Sequence, residues 1–181
     1  MMQPEHAESL MQKITAFLKN WLDLQMQTFS SIDGILLLDD IIGFVGEEEF
    51  TRFGLPYFNE LYSLGGSVRF LHNDAPSRVS APLLADMGVN LFNMGYDVPL
   101  NELKELTNNR VTLLGNLPPR DVLASGDEQT VRTETRALLD SLPGTSRIIP
   151  SCGGGMPPGV STANIRAFVE TVKAVPCNTD L

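Results

Sequence analysis

Between Ala7 and Ser30, apolar residues recur at three- and four-residue spacing: Leu10, Ile14, Phe17, Leu18, Trp21 and Leu24. That period predicts a long amphipathic leading helix within residues 1–30. Met11, Leu22 and Met26 widen its apolar face beyond what a free surface helix needs, so the helix is expected to pack on more than one neighbour. Five short apolar runs follow it: Gly34 to Leu38, Val68 to Leu71, Val89 to Phe92, Val111 to Leu114 and Arg147 to Ile149. They do not alternate apolar with polar, and helical patterns follow them in place of tight turns, which predicts buried parallel strands in repeated βα units.

The expected helices cover Glu47 to Leu64, kinked or divided at Pro56, Asp127 to Leu142, and a last one from Ser161 until Pro176 stops it. Shorter ones are expected over Ser77 to Met87 and Leu100 to Leu106, and Ser125 with Glu128 fits a capping box. No linker divides the chain, so residues 1–181 read as one domain. A full (β/α)₈ barrel uses roughly 250 residues, or about 31 per unit, so five units plus a leading helix need about 185. The chain has 181, which predicts an α/β fold in the form of a partial TIM barrel: about five parallel strands with helices behind a leading helix. An open sheet of that kind exposes strand edges, so self-association or a chain supplying the missing strands is expected.

Every predicted strand runs into polar residues: Asp39 and Asp40, then His72, Asn73 and Asp74, then Asn93, then Gly115 and Asn116, then Ser151 and Cys152. In parallel βα folds the carboxyl ends of the strands share one rim, where ligands bind. Each residue also has a structural alternative: a hydrogen-bonded framework histidine, a cysteine as core filler, a helix cap at Asp39 and Asp40. Convergence on one rim favours a shared site. Imidazole, carboxylate and thiolate are ligands that zinc accepts, so His72, Asp74 and Cys152 are candidate metal ligands. His72 and Asp74 lie two apart and would point the same way in an extended strand. The glycines that follow Cys152 permit close approach of a ligand and lack the Lys-Ser/Thr ending of a phosphate loop.

Composition narrows the partners. The chain carries 13 basic and 22 acidic residues, a formal charge of −9, with 43% hydrophobic residues. That is a globular chain that repels phosphate, so nucleic acid and anionic membranes are poor partners, and a small-molecule substrate is expected. Two cysteines, Cys152 and Cys177, make no disulfide framework, and the acidic opening lacks a signal peptide's basic start, so the chain reads as cytoplasmic.

Four stretches carry a resemblance. Gly34 to Gly43, Leu55-Pro56-Tyr57, Leu114 to Pro119, and Gly153 to Val172 with its Pro-Pro-Gly and Asn164-Ile-Arg-Ala-Phe-Val together resemble the uroporphyrinogen decarboxylase superfamily, over about Ala7 to Val175. The resemblance implies a (β/α)₈ barrel of which this chain corresponds to the C-terminal part. One branch decarboxylates uroporphyrinogen, in the heme pathway, without metal or cofactor. The other, corrinoid-dependent methyltransferases of the coenzyme M type, binds zinc through a His-x-Cys pair and a later Cys. His72 and Cys152 match the second branch, while Asp74 stands at its middle cysteine and Gly95-Tyr96 stands where many decarboxylases have Asp-Trp. The resemblance thus implies a zinc-dependent transfer of a methyl group from a corrinoid on a partner protein to a thiol. In that scheme Asp39, Asp40 and Asn116 serve catalysis, and Asn93, Gly153 and Gly154 bind substrate. A decarboxylase-like tetrapyrrole enzyme and a noncatalytic half-barrel subunit are the alternatives.

Overall fold

The computed structural model describes residues 3–176; Cys177 lies outside them. The leading helix α1 spans Pro4–Thr28. Then come β1 (Gly34–Leu38), a 3₁₀ turn (Ile41–Phe44), α2 (Glu47–Phe53), α3 (Leu55–Tyr62) and β2 (Val68–Asn73). A short 3₁₀ turn (Ala81–Leu83) leads to β3 (Leu91–Met94), α4 (Leu100–Leu106) and β4 (Thr112–Leu117). A π-helical turn (Pro119–Ala124), α5 (Glu128–Asp140), β5 (Ile148–Cys152) and α6 (Thr162–Lys173) complete the described chain. The strands form one parallel sheet in the order β1-β2-β3-β4-β5, the open arc of a βα barrel.

Register and pleat give the sheet two unlike faces. One cross-strand row runs Leu37, Leu71, Phe92, Leu113, Ile148, and the next runs Leu38, His72, Asn93, Leu114, Ile149. Because successive side chains alternate sides, these rows face opposite ways. The first is covered by the helix layer: Leu71, Phe92 and Leu113 are completely buried, in a core shared with Phe50, Leu84, Met87 and Leu103. The second faces the side where a closed barrel has its interior, and here Leu38 is 70% exposed, with Leu36, Val68 and Ile149 also open. A smaller core of Leu117, Val122, Leu123, Val131, Cys152 and Ala167 lies where α5 and α6 cover the ends of β4 and β5.

Four expectations need correction. Strands β2 to β5 run two to three residues further than the apolar runs, so His72, Asn116 and Cys152 lie inside strands and their directions are fixed by the pleat. The helix expected over Ser77 to Met87 is only the turn at Ala81–Leu83, since Pro82 offers no N–H to extend it. The cap of α5 is Asp127, whose Oδ1 accepts from the Thr130 amide at 2.7 Å, and Ser125 instead closes the preceding turn through its amide to the Arg120 carbonyl. The split of the Glu47–Leu64 segment falls at Gly54, and Pro56 sits in the first turn of α3, where a missing N–H costs nothing.

Helix α1 does contact two neighbours, α2 and α3. Its packed side, however, is the one bearing Glu8, Met11, Thr15, Lys19 and Leu22: Glu8 pairs with Arg52 at 2.6 Å and Lys19 with Glu60 at 2.8 Å. Leu10, Ile14, Phe17, Trp21 and Leu24 are exposed.

Candidate functional site

The carboxyl ends of β2 to β5 surround a cleft of about 460 Å³, lined by Asp74, Gly95, Tyr96, Asp97, Pro119, Arg120, Gly153 and Gly155. Each lining residue comes from a loop that leaves a strand tip, the placement the rim argument requires. Asp74, Asp97 and Arg120 make it a polar cleft of mixed charge, suited to a ligand that carries ionised and hydrogen-bonding groups together.

Next to it, on the open face of the sheet, His72 is held by a chain of hydrogen bonds whose direction is fixed from one end. The Leu114 carbonyl can only accept, so the Asn93 amide turns its Nδ2 toward it, at 2.6 Å. Asn93 Oδ1 is thereby aimed at His72 Nδ1, also at 2.6 Å. An amide oxygen only accepts, so Nδ1 carries the proton. His72 Nε2 is then the exchangeable nitrogen, and it lies 3.4 Å from Asp74 Oδ2. The expectation that His72 and Asp74 share a direction thus holds as a close pair.

The other expected residues serve the frame around this pair. Asp39 Oδ1 accepts from the amides of Ile41 at 2.7 Å and Ile42 at 3.3 Å, fastening the 3₁₀ turn after β1. Asp40 Oδ1 accepts from the Asp74 amide at 2.7 Å and so fixes the loop that carries Asp74. Asn116 Nδ2 donates to the carbonyls of Val98 at 2.8 Å and Gly95 at 3.3 Å, tying β4 to the loop after β3. Gly153 and Gly154 donate their amides to Leu117 and Met94, at 2.8 and 2.7 Å, which draws the β5 loop across the tips of β4 and β3. Gly154 has φ of +61°, and a Cβ there would run into the Asp74 carboxylate, so glycine lets the two approach.

Cys152 stands apart. It is three residues beyond Ile149, the β5 member of the His72 row, and an odd step along a strand reverses the side chain's direction. Its thiol therefore lies in the outer layer, 9% exposed, against Leu117, Val122 and Ala167. Burial there, with a smaller contribution from the charge of Asp74, pushes the thiol above its ordinary pKa. A zinc ligand must be a thiolate, which this environment disfavours, and among the described residues no three His, Cys, Asp or Glu side chains are grouped to hold a metal ion. The residues present do not fit a three-ligand zinc centre in this arrangement.

Tyr96, Asp97, Arg120 and Gly155 had no part in the expected site. Asp97 and Arg120 carry a legible signal, being the first charges past the tips of β3 and β4.

Comparison with known proteins agrees with this architecture. The model of the family "Uroporphyrinogen decarboxylase (URO-D)" matches residues 1–175. The chain belongs to the uroporphyrinogen decarboxylase family. It is 26% identical over 181 residues to a uroporphyrinogen decarboxylase of Chlorobaculum parvum, covering 94% of this chain and 50% of that one. A relative of the same name from Chloroherpeton thalassium is 25% identical, with 94% and 49% covered. The chain thus spans about half the length of the curated family members it matches. Among solved structures, a methyltransferase from Methanosarcina mazei shares the fold, with TM-score 0.66 at 20% identity over 79% of this chain and 42% of that one. No described helix is long and apolar enough to cross a membrane.

Proposed function

We propose that this chain forms the proton-transfer part of a uroporphyrinogen decarboxylase-type active site, acting on a carboxylated tetrapyrrole and complete only when further βα units close the barrel. The observation that carries the reading is His72, with Nδ1 committed to Asn93 and Nε2 turned toward Asp74 beside the rim cleft. When it carries a proton on Nε2, His72 turns that N–H toward Asp74 Oδ2, which fixes the ring. When the substrate's C–C bond breaks and CO₂ leaves, the electron pair remains on the side-chain carbon. That carbon takes the Nε2 proton, and the neutral imidazole is recharged from solvent. Arg120, which also lines the cleft, holds a second carboxylate of the substrate. The names of the curated relatives favour this chemistry.

Zinc-dependent methyl transfer from a corrinoid protein to a thiol is the second reading, and the His72–Asp74 pair is the observation in its favour. It requires Cys152 to leave the outer layer.

Fluorescence titration with uroporphyrin tests the first reading. Binding is expected, weakened by Arg120→Ala and retained in His72→Gln, which instead lacks decarboxylation in the closed barrel. Absence of porphyrin binding, together with stoichiometric zinc that both His72→Ala and Cys152→Ser remove, overturns it in favour of the second.

A further inference from the structure

The amino ends of β4 and β5, at the opposite end of the sheet from the rim cleft, carry a second cavity of about 550 Å³. The end of α4 contributes Lys104, Asn108 and Asn109 to its wall, and the turn before β5 contributes Gly144 and Ser146. Among the described residues, Lys104 is the one charged side chain that is buried, at 7% exposed. A charge out of water ordinarily has a counter-charge. Lys104 forms no ion pair with any described residue. Its Nζ donates instead to two neutral acceptors, Asn109 Oδ1 at 2.8 Å and the Ser146 carbonyl at 2.7 Å. An ammonium has three N–H donors, so one is left over on the wall of the cavity.

A second cation adds to the imbalance. Arg147 follows Ser146 directly and likewise pairs with no described carboxylate. Burial, and then the positive charge of Arg147, hold the Lys104 amine below its ordinary range. Glu105 also lines the cavity, but it is exposed and bonds to neither cation. We infer that this cavity binds a phosphate group, as the free ion or as the head of a small monoester, through the third Lys104 N–H and the Arg147 guanidinium. A phosphate monoester carries about −1.5 to −2 charges at neutral pH and so matches two cations, where a carboxylate matches one. Bonds to an ionised acceptor are also stronger than those to water. The net charge of −9 does not forbid this, because salt screens exposed charges beyond about 10 Å and the two cations act at contact. The volume leaves room for an organic remainder on the phosphate. The site is independent of the chemistry proposed above: it lies at the far end of the strands and joins α4 to the entry of β5, so its occupancy is read as binding, not as turnover.

Backbone amide NMR of residues 1–181 tests this, with inorganic phosphate and, separately, glycerol 3-phosphate titrated at an ionic strength held constant by sodium chloride. The amides of Asn108, Asn109, Gly144 and Ser146 are expected to shift and to saturate at millimolar ligand or below, and the tighter of the two ligands assigns the ion or the monoester. Lys104→Met keeps the stem, removes the charge, and is expected to weaken binding by about tenfold or more. Lys104 also bridges α4 to the turn before β5, so a variant that spares the bridge is paired with it. Arg147 is exposed and has φ of +56°, a backbone conformation that asparagine adopts readily. Arg147→Asn is therefore expected to keep the amide spectrum of the folded chain and weaken binding several-fold, while Arg147→Lys retains it. Amides that fail to saturate, shifts confined to Gly95, Gly153 and Gly155 of the rim, or an affinity that Arg147→Asn leaves unchanged overturn the inference. So does sodium acetate that saturates the same amides at a lower concentration than either phosphate, since the ligand is then a carboxylate.

Discussion

Replacing Asn93 by Leu removes the amide that joins His72 to the sheet while keeping side-chain volume nearly constant. Asn93 is 4% exposed, and both its bonds, to His72 Nδ1 and to the Leu114 carbonyl, are 2.6 Å long. His72, with a quarter of its side chain exposed, recovers a partner from water, so the main loss is at the Leu114 carbonyl. Leaving one buried polar group unsatisfied costs about 1–3 kcal/mol, a loss expected as a lower urea midpoint at unchanged slope. For a chain of this size the melting temperature falls by about 2–4 °C per kcal/mol. The same substitution releases the tautomer. With only two histidines in the chain, His6 and His72, nitrogen NMR separates them readily. Wild-type His72 is expected as the Nδ1-protonated form when neutral, and the variant as a mixture. A stability loss below about 0.5 kcal/mol, or a wild-type ring protonated at Nε2, would refute the argument that the Leu114 carbonyl orients the amide.

Three further outcomes follow from the geometry. Gly154→Ala forces a Cβ into left-handed backbone and onto the Asp74 carboxylate, and is expected to lower urea stability by about 1–2 kcal/mol; an unchanged midpoint contradicts it. Ser161 Oγ accepts from the Asn164 amide at 3.0 Å to cap α6, so Ser161→Ala is expected to cost about 1 kcal/mol in the same assay, with Ser161→Asp retaining most of it. Cys152 is expected to resist iodoacetamide in the native protein and react after unfolding, read by peptide mass mapping. Because its folded pKa is raised, its contribution to stability is complete below the ordinary value of 9.0 and is lost as pH climbs above it; Cys152→Ala is expected to flatten that decline.

Much of the fold was legible because parallel strands buried under helices leave continuous apolar runs. The runs located all five strands, and each strand pairs with the next one along the chain, as consecutive elements usually do. The pairing of His72 with Asp74 was legible from their spacing of two, although Asp74 lies one residue past the end of β2 and is held in place by the bond from its amide to Asp40 Oδ1. Cys152 was not, because the apolar run stops at Ile149 while pairing to Leu117 carries β5 on to Cys152. Cys152, expected on the rim past the end of its strand, is a strand residue with an assigned side.

The sequence by itself determined the repeated βα order, the polar ends of the strands and the run of glycines after Cys152. These depend on interactions between residues near one another along the chain. Only the tertiary structure decided which side of the sheet each strand-end residue occupies, and which of the two apolar stripes on α1 meets the rest of the molecule. Both depend on register and docking between distant segments: a one-residue shift in strand pairing exchanges inside for outside, and a helix with two greasy sides does not say which one its neighbours cover.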